Sequence, residues 1–288
     1  MDEPTPDVDS EAAAAAFGTL SDGGRIDILL ALWQSDPLTF ADLQRASGID
    51  DSGRFNYHLD KLVGRFVQKT DEGYRLTPVG AKAVDLLLDA RFGPSSPPPI
   101  DQVTVADCPS CGAFLLAHYD DGDMRLSCDA CGALVHYGFF PPHGRATRDA
   151  DSTLDAYSQQ VWRDVTLAHR GVCPHCRGRM RTALEDDPDW AVDVAATSRC
   201  RDCGSPLSTT LGLRLLADPA VVSFLADHGH AVDERRFWEF AFVFDDLVAT
   251  VSESPPRYRL TITEDDERLE VIVDDTAHVV ETARRRSR

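Results

Sequence analysis

The stretch Ile49–Thr77, IDDSGRFNYHLDKLVGRFVQKTDEGYRLT, decides the fold of the N-terminal third of this chain. Phe55, Leu59 and Leu62 recur at i, i+4 and i+7, the stripe of a helix that buries one side. Its other side offers Arg54, Asn56, Tyr57, His58 and Lys61, residue types that meet base edges and phosphates. Phe66 to Lys69 and Tyr74 to Leu76 then flank TDEG, the pattern of a short hairpin turning at Gly73.

Upstream, PLTFADLQRASGID places Thr39 and Asp42 at capping-box spacing, with Phe40, Leu43 and Ala46 expected to face inward and Gly48 to end the helix. Ile26, Leu29, Leu30 and Trp33 predict a buried stripe on the helix before it. Downstream, Pro78 suits the first turn of a helix carrying Val79, Val84, Leu87 and Leu88, because that turn has no use for its missing N–H. Two helices joined by a tight turn, then a hairpin and a helix, spell a winged helix-turn-helix.

The chain of 288 residues carries a formal charge of -19, an odd setting for a surface that meets a polyanion. Asp outnumbers Glu, and the only lysines are Lys61, Lys69 and Lys82. This composition resembles that of halophilic proteins, in which short carboxylates hold water and molar salt cuts the Debye length to about 3 Å. Net charge then says little about the partner. The N-terminus has no basic region before its alanine run, and no apolar run approaches the roughly 20 residues a membrane helix needs, so a cytoplasmic protein without a membrane partner is expected.

All eight cysteines fall into Cys-x-x-Cys pairs: Cys108 and Cys111, Cys128 and Cys131, Cys173 and Cys176, Cys200 and Cys203. Sixteen residues separate Cys111 from Cys128, inside the zinc-ribbon window of roughly 15 to 20, and twenty-three separate Cys176 from Cys200, somewhat beyond it. Each pair aims two thiolates at one point, and two pairs complete a tetrahedron about 2.3 Å from a Zn2+ ion. Ribbons this small bury too little apolar surface to fold unaided, so two structural zincs are expected. Four thiolates fill each site, which leaves no open position for catalytic water and argues against an enzyme. His136, His143 and His175 adjoin the pairs without being needed as ligands.

The expected class is α+β: an N-terminal winged helix-turn-helix, two four-cysteine zinc-ribbon-like segments, and a C-terminal α+β region with antiparallel strands. The expected boundaries are an acidic, alanine-rich extension (1–16), the winged helix (17–92), a proline-rich linker (93–101), ribbon one (102–145), an amphipathic helix (146–170), ribbon two (171–207) and the C-terminal region (208–288), which serves dimerisation or effector response. Within the last, DPAVVSFLADHG reads as a helix, Phe240–Phe244 and Leu247–Val251 as strands, and RYRLTITEDDERLEVIVDD as a hairpin before a solvated RRRSR tail. Asp227, His228 and His230 form a possible ligand site, though their spacing beside Gly229 fits a helix end better.

Three stretches, FGTLSDGGRIDILLAL, NYHLDKL and YRLTPVGAKAV, make the segment Phe17 to Ala90 resemble the winged-helix domain of ArsR-type transcriptional regulators. With CPSCG…CDACG, CPHC…CRDCG and FLADHGHAVDERRFWEF added, the whole chain is similar to a family of haloarchaeal winged-helix regulators. The resemblance implies double-stranded DNA binding, as a homodimer. ArsR metal sensing does not follow, because no cysteine lies in the winged helix. In such a fold the second helix enters the major groove, so Ser52, Arg54, Asn56, Tyr57 and Lys61 are expected to meet DNA there, with Arg65, Lys69 and Arg75 gripping phosphates around the wing. Gln44 and Arg45 are further candidates on the preceding helix. Two other readings stand beside a sequence-specific regulator: a transcription-machinery or assembly factor that uses the same modules to bind protein, and a thiol-redox or nuclease enzyme.

Overall fold

The computed structural model describes residues 8–90, 96–185, 194–244 and 248–286. The chain divides into two compact units, Val8–Ser95 with Pro141–His143, and Ser96–Phe140 with Gly144–Arg288. Residues 1–7 of the expected N-terminal extension, 91–92 at the end of the expected winged helix, 93–95 of the expected linker and 247 at the start of an expected strand lie outside the described residues.

The first unit runs α1 (Ser10–Thr19), α2 (Gly23–Gln34), α3 (Phe40–Ala46), α4 (Ser52–Leu62), β1 (Val67–Thr70), β2 (Gly73–Leu76) and α5 (Pro78–Ala90). Short polar residues stop each of the first four helices from unravelling at its start. Asp9, Asp22, Thr39 and Asp51 each accept a bond from a first-turn amide of the helix that follows. The core joins Ile28, Leu29 and Leu32 of α2, Leu43 of α3, Phe55, Leu59 and Leu62 of α4, and Val84 of α5. The α4 stripe is thus as expected, and two neighbouring stripes differ. In α2 the buried residues are Gly24, Ile28, Leu29, Ala31 and Leu32, while Trp33 is 45% exposed. In α3 only Leu43 is buried; Ala46 is exposed, and Phe40 lies edge-on to Phe55 with ring centroids 4.9 Å apart. Both helices are apolar around much of their circumference, so the neighbouring helices, rather than periodicity, select the buried side.

The hairpin β1–β2 pairs Val67 with Leu76 and Thr70 with Gly73. Gly73 has φ 139°, and a Cβ there would sit 2.3 Å from the Leu38 carbonyl oxygen. Only glycine allows that approach. It lets Leu38 and Tyr74 exchange backbone hydrogen bonds of 3.0 and 2.8 Å, which tie the hairpin to the start of α3.

Among the described residues, the second unit contains three antiparallel sheets. β3 (Ile100–Asp107), β4 (Phe114–Asp120), β5 (Asp123–Ser127) and β6 (Leu134–Phe139) form a four-stranded meander. After α6 (Pro142–Ala146) and the twenty-residue α7 (Ala150–His169), strands β7 (Met180–Glu185), β8 (Ala195–Cys200) and β9 (Pro206–Thr210) form a second meander. Then come α8 (Leu211–Leu215), α9 (Pro219–Asp227) and the third sheet, β10 (Val248–Glu253), β11 (Pro256–Glu264), β12 (Glu267–Asp274) and β13 (Val279–Arg286). One apolar core runs through all of them: Leu115, Leu126, Leu154, Tyr157, Val161, Leu213, Phe224, Leu260 and Val271 belong to it.

The C-terminal hairpin has the expected register, with Tyr258, Leu260 and Ile262 opposite Val273, Val271 and Leu269. Two expectations fail nearby. Phe240–Phe244 is not a strand: the chain makes short 3-10 turns at Phe237–Glu239 and Ala241–Val243 that bury Phe237, Trp238, Phe242 and Val243. A run apolar on every side fits a buried turn as well as a strand, and periodicity cannot separate them. The first three arginines of RRRSR are not tail but the end of β13, where Arg285 meets Glu270 at 3.2 Å and Arg286 meets Glu267 at 2.6 Å. Cross-strand carboxylates extend the edge strand past the apolar pattern. Among the described residues, no helix is long and apolar enough to cross a membrane.

Candidate metal centres and nucleic-acid interface

Local backbone geometry brings the cysteines of each pair together, and it repeats four times. The N–H of Cys108 donates to Ala113 O at 2.5 Å, of Cys128 to Ala133 O at 2.9 Å, of Cys173 to Gly178 O at 2.8 Å and of Cys200 to Ser205 O at 3.0 Å. The residue after each second cysteine donates back to the carbonyl of the first and lies in the left-handed region: Gly112 at φ 72°, Gly132 at 76°, Arg177 at 66° and Gly204 at 74°. Three of those positions hold glycine, for which this conformation is unstrained. The fourth holds Arg177, whose guanidinium folds back on the carbonyls of Cys173 and Pro174.

Strand pairing brings the two pairs of each group together. Pairing β4 with β5 brings Cys108 Sγ to 3.7 Å from Cys131 Sγ and Cys111 Sγ to 3.6 Å from Cys128 Sγ. Pairing β7 with β8 does the same for Cys173 with Cys203 at 3.8 Å and Cys176 with Cys200 at 3.5 Å. All ligand atoms within each group lie within 4.8 Å of one another, so both groups can hold a metal ion. Their protonation chemistry agrees. The Cys131 amide bonds the Cys128 sulfur and draws its pKa down to about 7. At Cys111 the Ala113 amide favours the thiolate, but the neighbouring Cys131 thiol and burial prevail and push the pKa up to about 12. Cys176 is likewise pushed up to about 12: the Gly178 amide opposes the change, and the Cys203 thiol and burial overcome it. One thiol per group ionises readily and its neighbours resist, so four thiolates require a cation among them.

On α4, Ser52, Arg54, Asn56, Tyr57 and Lys61 are exposed, opposite Phe55, Leu59 and Leu62. His58, grouped with them from the sequence, is instead buried at 5% exposure. Its Nδ1 lies 3.5 Å from Asp22 Oδ1 and makes no hydrogen bond, and its Nε2 accepts from Arg54 Nε at 3.3 Å. Histidine is small enough to fill the gap between α4 and the start of α2, where Gly24 leaves room for its ring. Asn56 donates to Asp60 at 3.1 Å, Lys61 sits 5.5 Å above the Tyr57 ring, and Ser52 exchanges bonds with Gln44. Around the hairpin Lys69 is exposed and lies 5.7 Å from the Tyr74 ring; Arg75 is half-buried, 3.4 Å from Asp36; Arg65 is exposed and reaches the Ala12 carbonyl at 3.5 Å. Arg45 pairs with Asp42 at 3.0 Å.

His228 follows α9, as its spacing predicts, and bonds the Phe224 carbonyl through Nδ1 at 2.8 Å; His230 faces Glu264 at 3.2 Å. Neither joins Asp227 in a cluster of metal-ligand geometry. His136 is core, and His175 is exposed. The residue passed over in the sequence is Arg177. The signal was present: three of the four pairs read Cys-Gly at their second cysteine and one reads Cys-Arg.

Residues 13–87 match a family described as a domain of unknown function, DUF7347. No curated protein and no solved structure matches the chain. Residues 105–279, more than half of the chain and both four-cysteine groups with it, match the domain of unknown function DUF7351, and the chain belongs to that family.

Proposed function

We propose that this chain is a sequence-specific, DNA-binding transcriptional regulator. Its first unit acts as an ArsR-like winged helix, α4 enters the major groove, and β1–β2 serves as the wing. The observation that carries the reading is the two-sided character of α4. Phe55, Leu59 and Leu62 anchor one side in the core, while Arg54, Asn56, Tyr57 and Lys61 stand exposed on the other. A rigid helix with a polar outer ridge suits a groove about 12 Å wide, Arg pairing with guanine and Asn with adenine. Arg65, Lys69 and Arg75 then serve the phosphate backbone.

Both four-cysteine groups are read as structural zinc sites, since soft thiolates in a closed set of four select zinc. The protein acts in the cytoplasm as a homodimer on double-stranded DNA and is not an enzyme. Genome-wide footprinting in the native salt tests the reading: discrete protected sites sharing one sequence are expected, and uniform or absent protection would sink it.

A second reading, an assembly factor that docks on the transcription machinery, is favoured by one observation. The sheet that carries the first four-cysteine group exposes Phe114, Leu134, Tyr137 and Phe139. Retention of a specific duplex in molar KCl supports the first reading; capture of polymerase without DNA supports the second.

A further inference from the structure

The two four-cysteine groups are alike in backbone and differ in charge at their knuckles. Cys108–Leu116 and Ser127–Cys131 of the first carry one acid, Asp129, and no lysine or arginine. The corresponding Cys173–Arg181 and Arg199–Cys203 of the second carry five arginines, Arg177, Arg179, Arg181, Arg199 and Arg201, against one acid, Asp202, while residues 182–198 between them carry five acids, Glu185, Asp186, Asp187, Asp189 and Asp193. In a chain of net charge -19 this concentration of cations runs against the whole composition.

All five arginines are exposed. Strand register sets Arg181 directly opposite Arg199. The Arg201 amide donates to the Arg179 carbonyl at 2.8 Å, which joins those two residues beside the metal ligands. Asp202, itself exposed, accepts the Arg179 amide on its carboxylate at 2.8 Å. Among the described residues Arg179, Arg181 and Arg201 make no ion pair. Arg177 holds a left-handed conformation that glycine adopts in the other three pairs, so a cation is kept where a neutral residue would be less strained.

Three exposed guanidinium groups side by side, Arg179, Arg181 and Arg201, without an ion pair among the described residues suit an external anion. Among the described residues of 171–207, no large apolar side chain is exposed. Protein interfaces close around an apolar core, whereas a phosphate backbone is held by cations and donors alone, with guanidinium forks the best match. We propose that this second pair of cysteine knuckles is a phosphate-binding surface that grips the nucleic-acid backbone without regard to base sequence. It is separate from α4 and does not depend on the role given to that helix.

The test uses the full-length, metal-loaded chain and a fluorescent duplex of arbitrary sequence, titrated over a range of KCl concentrations. Combining Arg179→Ser, Arg181→Ser and Arg201→Ser should lower affinity by on the order of tenfold and flatten the plot of log affinity against log salt by about two to three, near 0.9 for each lost phosphate contact. The loss should be the same on every sequence, whereas α4 substitutions change the preference among sequences. Arg177→Gly, which restores the residue of the other three pairs, should keep both metal ions and weaken binding with a slope change of about one. An unchanged slope in the triple variant with both ions retained overturns the proposal, as does failure of the parent chain to bind the duplex. So does loss of poly-glutamate binding with duplex binding intact, which would mark a surface for acidic proteins.

Discussion

Nδ1 of His136 lies 2.8 Å from the hydroxyl of Tyr157, and the bond joins β6 to α7 inside the core of the second unit. Both side chains are buried, and the ring of Phe237 stands 5.3 Å from that of His136. Burial lowers the histidine pKa to about 4 and raises that of the tyrosine. The imidazole is therefore neutral in the folded protein.

This produces a pH dependence of known sign. The unfolded chain binds a proton at His136 below about pH 6.5 and the folded chain does not until about 4, so protons favour unfolding in that window. The contribution is fully present above pH 6.5 and falls as the pH drops. Denaturant titrations should show the parent chain losing about 2 kcal/mol more than His136→Gln between pH 6.5 and 5. Parallel curves for the two proteins would show that His136 is not held neutral.

Metal content follows from the two four-cysteine groups. Elemental analysis of reduced protein should give close to two zinc ions per chain, and Cys128→Ser or Cys200→Ser should each remove one. Chelation should unfold the sheets that carry them, visible as lost strand signal in circular dichroism, because the metal supplies most of the free energy that closes such small knuckles. Full structure after complete metal removal would contradict this.

Arg54→Ala and Asn56→Ala are expected to relax base preference by about 1 to 3 kcal/mol per contacted base pair; Asn56→Ala should leave thermal stability near that of the parent, whereas Arg54→Ala removes the donor to buried His58 and should cost about 1 kcal/mol. Selection from a randomised duplex library reads the preference. If the two variants select the same sequences as the parent, those side chains do not read bases.

Phe55→Ala should behave oppositely. Its ring is fully buried at the junction of α3 and α4 and packs edge-on against Phe40, so truncation should cost about 3 to 5 kcal/mol in chemical unfolding of the first unit. A loss below about 1 kcal/mol would mean that this core is loosely packed.

Arg214 is a buried guanidinium that bonds only hydroxyls: Ser198 and Thr182, each at 2.9 Å, while its Nε has no partner. Burial lowers its pKa to about 10. The two hydroxyls already bond each other at 2.8 Å, so Arg214→Met strands neither of them. The substitution should leave stability unchanged or raise it by about 1 kcal/mol. A large loss in thermal unfolding would show that the guanidinium is needed.

Short-range geometry was legible in the sequence. Two cysteines separated by two residues, with a left-handed residue after the second, converge whatever surrounds them, so both four-cysteine groups could be read from spacing alone. The α4 stripe and the register of Leu260 with Val271 were readable for the same reason, since each depends on one helix or one hairpin. Other features required partners distant in the chain. Packing selected Ile28 and Leu32 over Trp33, turned His58 inward, and drew Phe240–Phe244 into buried turns. Carboxylates across the sheet made strand of Arg284–Arg286, and pairing of β7 with β8 assembled the arginines around the second four-cysteine group. A chain records its own bond angles and periodicities locally, but which of several apolar or charged faces finds a neighbour is settled only when the whole core closes.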